Sequence, residues 1–331
     1  MAGTSLQCRM RRILLVKTSS LGDVVHNYPV ATDLRARYPD AQIDWAVEKS
    51  LSELPALHPA IDQVIAVEPR RWRRQLLSAA TWNEIGAVRR HLHERGYDAV
   101  IDTQGLIKSA CIARLAPGTR YGLDWVSARE PLRPFYHRTF RVSWKQHAVE
   151  RNRRLAALAL GYSCAAPAQY GIVPPALPPD TFAWLDPAGT PYVALLHGTS
   201  ARAKLWPEHQ WIKLGDQLHH LGLLPVLLWG SDEERGRSER IAKVLKSALV
   251  APRMPLSVAA AFLAGARAVF GVDTGLSHLA AALGVPTIGI YVATNPAATG
   301  LYGSARAVNV GSGDSAPSLA QVLGAWKRVA V

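Results

Sequence analysis

From Arg12 onward, short β-branched runs alternate with longer amphipathic stretches, the pattern of βαβ units that build a parallel sheet. Strands are predicted at residues 13–17, 43–47, 64–67 and 99–103, with helices at 24–37, 83–95 and 106–115. The alternation then stops. Pro167, Pro174, Pro175, Pro178, Pro179, Pro187 and Pro191 fall within 25 positions, a density that disfavours regular structure and marks a linker. It restarts with strands at 192–197, 225–229, 268–272 and 287–291 and helices at 207–221, 233–245, 258–264 and 276–283. The reading is an α/β chain of two Rossmann-like domains, residues 1–165 and 192–331, joined by a Pro-rich linker at 166–191. The last amphipathic stretch, 318–328, is expected to pack back on the first domain.

Ligands of open parallel sheets sit beyond the carboxyl ends of the strands, where the strand order reverses, so two such domains are expected to face a central cleft. Three polar loops follow predicted strands. The first is Thr18-Ser19-Ser20-Leu21-Gly22-Asp23, which puts Asp23 at a helix entrance. A carboxylate there caps the helix or serves as a general base, and the residues alone leave both open. The second, His197-Gly198-Thr199-Ser200 through Lys204, offers close backbone approach, two hydroxyls and a mobile cation to a phosphate. The third, Asp273-Thr274-Gly275, ends a strand and opens a helix carrying His278, with free N–H groups aimed at an anion. Glu234 also follows a strand, where an acid can accept from ribose or sugar hydroxyls.

Charge sharpens the picture. The chain carries a net +13, and residues 1–165 hold 25 Lys and Arg against 15 Asp and Glu, while residues 166–331 hold 13 against 10. A field concentrated on one half suits an anionic partner: nucleic acid, an acidic lipid face or a phosphorylated substrate. Its densest point is Arg70-Arg71-Trp72-Arg73-Arg74, a phosphate clamp or a solvated face, with Trp72 free to stack on a base or pack on lipid.

Other classes are excluded. Cys8, Cys111 and Cys164 are odd in number and far apart, which argues against a disulfide framework and for a reducing cytoplasm. No apolar run reaches the roughly 18 residues of a membrane span, and the one after Arg12 is too short for a signal peptide. The only G-x-G-x-x-G/A match, 311–316, lies too near the end for a dinucleotide site, and no metal motif occurs.

Four motifs in order, Lys17-Thr18-Ser19-Ser20-Leu21-Gly22-Asp23-Val24-Val25-His26, Asp102-Thr103-Gln104-Gly105-Leu106-Ile107-Lys108-Ser109, Lys204-Leu205-Trp206-Pro207 and Val272-Asp273-Thr274-Gly275-Leu276-Ser277-His278-Leu279, resemble the ADP-heptose:lipopolysaccharide heptosyltransferases. The first has the form found in heptosyltransferase I rather than II. The likeness runs from Met10, which suggests Met10 as the initiator, almost to the C-terminus.

The resemblance implies a GT-B glycosyltransferase that moves L-glycero-D-manno-heptose from ADP-heptose to the inner Kdo of Kdo2-lipid A, with inversion. It implies Asp23 as general base. Thr199, Ser200, Lys204, Thr274 and Gly275 would hold the diphosphate, Glu234 the donor hydroxyls, and Asp273 and His278 would complete the donor site. Arg70, Arg71, Arg73, Arg74, Arg129 and Arg151 would meet the acceptor's acidic groups. Neither a cofactor nor a metal is implied, nor a nucleic acid. The expectation is a cytoplasmic monomer, peripheral on the inner membrane and in transient contact with it. A transferase of the same fold with another core sugar or a protein as acceptor, and a non-enzymatic binder of anionic surfaces, are the alternatives.

Overall fold

The computed structural model describes residues 10–185, 189–313 and 315–329, so Cys8 and Pro187 lie outside the described residues. The chain divides into two compact units, Met1–Gly171 and Ile172–Val331, and the division falls inside the proline-rich stretch.

The first unit runs β1 (Arg12–Val16), α1 (Leu21–Val25), α2 (Tyr28–Arg37), β2 (Gln42–Glu48), β3 (Gln63–Val67), α3 (Pro69–Arg74), α4 (Ala79–Arg95), β4 (Ala99–Asp102), α5 (Ile107–Leu115), β5 (Thr119–Leu123), β6 (Arg138–Phe140) and α6 (Ala148–Leu160). All its strands are parallel, in the order β3-β2-β1-β4-β5-β6. The helix predicted over 24–37 is two helices. Pro29, with no N–H to give and a ring that crowds the preceding turn, sits in the first turn of α2, whose N-cap is Asn27. The residue pattern missed β5 and the edge strand β6 because both keep arginines and half-exposed positions, and so lack the continuous apolar run of β1.

The second unit repeats the plan: β7 (Tyr192–Leu196), α7 (Glu208–His220), β8 (Leu224–Leu227), α8 (Asp232–Val244), β9 (Leu249–Val250), α9 (Leu256–Gly265), β10 (Ala268–Val272), α10 (Gly275–Ala282), β11 (Thr287–Ile290), α11 (Pro296–Thr299), β12 (Ala307–Val310) and α12 (Leu319–Val329). Its strands, also parallel, lie in the order β12-β11-β10-β7-β8-β9. Read from its own first strand, this is the same winding as in the first unit. In each sheet the order reverses between the first and fourth strands, β1 and β4 or β7 and β10.

The terminal helix packs its apolar face within the second unit. Val322, Ala325 and Val329, on one face of α12, are buried in the second unit's own core against β11, β12 and α7, so its apolar stripe is satisfied there. Trp206 and Trp211 fill the same core edge to face, ring centroids 5.2 Å apart, and the Trp206 indole N–H donates to Pro317 O at 2.9 Å. Among the described residues no helix is long and apolar enough to cross a membrane.

In the first unit, α6 is fixed to α2 by the buried guanidinium of Arg153. It donates twice to the Asp33 carboxylate (2.8 and 3.1 Å), to Glu150 at 3.1 Å and to Ala166 O at 2.8 Å. Removing one partner of a buried pair strands the other's charge. Asp33→Ala should lower the stability of the first unit by about 3 kcal/mol, read from the urea midpoint at unchanged m-value.

Candidate functional site

In the first unit, the loops leaving β1 and β4 meet where the strand order reverses. One side chain joins them. Gln104 Oε1 accepts from the Thr18 N–H at 2.6 Å, the Thr18 hydroxyl at 2.8 Å and the Ser19 N–H at 3.1 Å, and its amide nitrogen donates to Ser19 O. Beneath it, buried Lys17 donates to Thr103 O at 3.0 Å and reaches Asn152 Oδ1 at 3.5 Å. Burial pushes its ammonium pKa down, and the Asp23 and Asp102 carboxylates oppose the shift.

Asp23 is a half-buried acid at the entrance of α1. Ser20 is the N-cap of α1, and its N–H and hydroxyl each donate 2.9 Å to Asp23 Oδ2. The other carboxylate oxygen has no hydrogen-bond partner among the described residues. Two cations converge on the neighbouring Ser19 hydroxyl, Lys108 Nζ and, at 3.4 Å, Arg70 Nη2. Burial lowers the Lys108 pKa, and Arg70 adds to the shift. His26 turns inward, edge-on to His147 with ring centroids 5.3 Å apart, which is a packing role.

At the end of β4, buried Asp102 accepts from the Tyr136 hydroxyl at 2.7 Å and from the Gln104 and Gly105 N–H groups at 2.9 and 3.3 Å. Burial raises its pKa against these hydrogen bonds. The Tyr136 ring can approach only because residue 122 is glycine, where a Cβ would stand 2.3 Å from it.

The arginine cluster divides. Arg70 lies 3.4 Å from Glu48 and faces Ser19. Arg71 is engaged by Glu68 at 2.8 Å and by Glu84. Arg73 and Arg74 are exposed with no ion-pair partner among the described residues. Trp72 does not face a ligand: it is buried in the core and its indole N–H donates to Glu84 at 3.0 Å. Arg129 and Arg151 gather on Trp144, 5.4 and 3.5 Å from its ring centroid, and their charges also lower the Lys17 pKa. Burial, with Arg129 nearby, pushes the Arg151 pKa down to about 10, which leaves it cationic at neutral pH.

In the second unit, the loops leaving β7 and β10 meet at the corresponding point. Thr199 Oγ1 donates to Asp273 O at 3.0 Å, and Lys204 Nζ lies 2.7 Å from Asp273 Oδ2. Thr294 donates to the same oxygen at 2.9 Å, and His278 Nε2 stands 3.7 Å from Oδ1. Burial works against the Asp273 charge, but the hydrogen bonds from His278, Lys204 and Thr294 hold its pKa far below the usual carboxylate range. Thr274 is the N-cap of α10 with no side-chain cap bond of its own.

Glu234 joins this group. Its Oε2 accepts from the Gly230 N–H at 2.7 Å, and a Cβ at Gly198 would fall 2.4 Å from its carboxyl carbon. It lines a cavity of about 680 Å³ with Gly198, Thr199 and Ser200. A larger cavity of about 890 Å³ opens at the amino edge of the first sheet, around Arg11, Arg12 and Gln42, away from every loop described above.

Sequence reasoning missed the props. Arg237, buried on α8, donates to His197 O at 2.9 Å and to Trp206 O, and so straps the 197–206 loop from both ends. Gln104 and Lys108 stood inside a recognised motif without an assigned task, and Thr294 had no signal at all.

His197, buried at the end of β7 with Nε2 2.7 Å from Ser238 Oγ, has its pKa pushed down to about 3 by burial, with Arg237 adding to it. It takes up a proton on unfolding between that value and its ordinary 6.5, so it contributes full stability above pH 6.5 and loses it as pH falls. Urea titrations of wild type and His197→Asn should show a shallower acid-side loss in the variant over pH 6.5 to 4. Parallel curves would show that His197 does not titrate this way.

Residues 85–322 match the model of glycosyltransferase family 9 (heptosyltransferase). Lipopolysaccharide heptosyltransferase 1 of Pseudomonas aeruginosa is 47% identical over 303 residues, 91% of this chain and 84% of the relative. Among solved structures, E. coli heptosyltransferase WaaC with ADP has a TM-score of 0.83 and 41% identity, covering 94% of this chain and 96% of that one. The E. coli enzyme with ADP-2-deoxy-2-fluoro heptose gives 0.80 and 40%, covering 96% and 98%. A family match over most of the second unit and part of the first, with identity above 40% along nine tenths of the chain, leads to one conclusion: the chain belongs to glycosyltransferase family 9, the heptosyltransferases.

Proposed function

We propose that this protein transfers L-glycero-D-manno-heptose from ADP-heptose to the inner Kdo of Kdo2-lipid A, by a single displacement with inversion. The observation that carries the reading is Asp23, a carboxylate with one oxygen held by Ser20 and the other free. A sugar hydroxyl is a poor nucleophile at neutral pH, and a fixed carboxylate that takes its proton contributes roughly 10²–10⁴-fold.

On this reading the donor belongs to the second unit. The hydroxyls of Thr199 and Ser200, the Lys204 ammonium and the N–H groups at Thr274 and Gly275 meet the diphosphate, and Glu234 accepts from donor hydroxyls. The departing ADP gains negative charge as the glycosidic bond breaks, and Lys204 with the α10 N-terminus stabilises it. Lys204 is already oriented by Asp273 before the donor arrives. The structures of relatives with ADP and with ADP-2-deoxy-2-fluoro heptose support this class of donor. The acceptor's acidic groups fall to the first unit: Arg70, Arg73 and Arg74, with Arg129 and Arg151 as a second basic group. Such an acceptor is a bilayer lipid, so the enzyme works at the cytoplasmic face of the inner membrane.

The test is ADP release from ADP-heptose, with and without Kdo2-lipid A, in EDTA. Asp23→Asn should lose about 10²–10⁴-fold in turnover while binding ADP as tightly as wild type. A fully active Asp23→Asn enzyme would remove Asp23 as the base. Arg74→Glu should raise the acceptor KM several-fold and leave the donor KM unchanged. An equal rise in both would overturn the assignment of the basic cluster to the acceptor.

A further inference from the structure

We propose that the junction between α3 and α4 is a membrane-docking edge, with Leu76, Leu77 and Trp82 entering an anionic bilayer leaflet and Arg73 and Arg74 meeting its headgroups. The inference rests on the proposed glycolipid acceptor, which it deepens by naming the surface that meets the lipid phase.

The patch is built rather than loose. Leu77 is fully exposed, Leu76 51% and Trp82 58% exposed, the largest such group in a short span of the first unit. Monomeric surfaces scatter single apolar side chains, but a cluster of large ones flanked by cations is the signature of an interaction surface. Beneath it, buried Trp72 and Thr81 anchor the two ends of the turn in the core. The Trp82 indole N–H donates to Leu76 O at 2.7 Å. The ring can therefore enter an apolar phase without carrying an unpaired donor into it, which removes the main cost of burying tryptophan.

Charge selects the occupant. Residues 73–83 read Arg-Arg-Gln-Leu-Leu-Ser-Ala-Ala-Thr-Trp-Asn, without a carboxylate. The nearest acids, Glu68 and Glu84, are both engaged by Arg71, which leaves Arg73 and Arg74 unopposed. Exposed Arg89 follows Trp82 by seven residues on α4, two turns along the same face. An apolar tip ringed by uncompensated guanidinium groups complements a leaflet of anionic lipids, whose surface potential draws such segments in.

Position agrees with the chemistry. Arg70, at the opposite end of α3, reaches the Ser19 hydroxyl beside Asp23. At 1.5 Å per residue, the six residues of α3 set the lipid-facing turn only about 9 Å further along. A glycolipid anchored in the leaflet would present its first sugars at that height.

The test uses the full chain and two readouts. Sedimentation with vesicles of 30% phosphatidylglycerol in phosphatidylcholine, against phosphatidylcholine alone, reads docking. ADP release with a fully deacylated, water-soluble Kdo acceptor reads transfer. Wild type should bind the anionic vesicles at least tenfold more tightly than the neutral ones. Leu77→Glu/Trp82→Glu should lose at least tenfold of that binding while release with the soluble acceptor is unchanged. Leu77→Ser, which touches no core residue, should lose about threefold and covers the case in which the double variant does not fold.

Equal vesicle binding by wild type and variants, or none by wild type, overturns the proposal. So does a patch that proves to join two copies, seen as a dimer that the variants dissociate. Should the soluble acceptor release no ADP even with wild type, the heptosyl-transfer reading fails, and the vesicle result still decides the docking edge.

Discussion

A parallel sheet covered by helices on both faces has no place for a functional polar side chain except beyond the ends of its strands. Each unit obeys this constraint with the same winding, and in each the loops after the first and fourth strands are left side by side by the reversal of strand order. In the first unit these are the Thr18–Asp23 loop and the Asp102–Leu106 loop. In the second they are the His197–Lys204 loop and the Asp273–Gly275 turn. Every residue held at either point depends on strands such as β1 and β10, whose apolar side chains are buried on both faces of the sheet.

The repeated topology carries opposite electrostatics. Asp102 ends β4 and Asp273 directly follows β10, the fourth strand of its own sheet, so both acids stand at the carboxyl end of a fourth strand, Asp273 two residues further along in register. Asp102 is enclosed with a tyrosine hydroxyl and backbone N–H groups, and burial raises its pKa. Asp273 gathers Lys204, His278 and Thr294, and its pKa falls. The first is a tie that holds the β4 loop and Tyr136 together. The second fixes the Lys204 ammonium. Two carboxylates at the ends of fourth strands thus differ by their neighbours, one a brace and the other an electrostatic anchor.

What could be read from the residues follows this division. Both loops of the second unit and the Asp23 loop were visible because glycine, hydroxyl and charge fall together directly after an apolar run. The central strands were visible for the same reason. Pairing was not: four arginines within five residues look equivalent in sequence, yet Arg71 is engaged by two glutamates and Trp72 is buried, because α4 brings Glu84 across to them. The strap made by Arg237 links residues 31 and 40 positions away, and no local pattern announces a contact of that range. Nor does amphipathicity name a partner. The apolar face of α12 was plain, and the surface it covers was decided by which core had room for it.

The cap role of Asp23 and its proposed role as base, alternatives when only the residues are considered, are compatible in one arrangement. A capping carboxylate must keep one oxygen on the N-cap residue, and that requirement restrains its rotamer and leaves the second oxygen without a hydrogen-bond partner among the described residues. The restraint is local, spanning three residues, and Gln104 and Lys108 hold the Ser19 end of the same loop. Asp23 is therefore oriented by the fold of one unit alone, and in the proposed role of base it would have little orientational freedom left to lose in the reaction. Lys204 is oriented by another route: its partner is the Asp273 carboxylate, with which a diphosphate in the proposed donor site would compete. On the proposed reading the ammonium, held by Asp273, would be shared with the charge that develops on the leaving group.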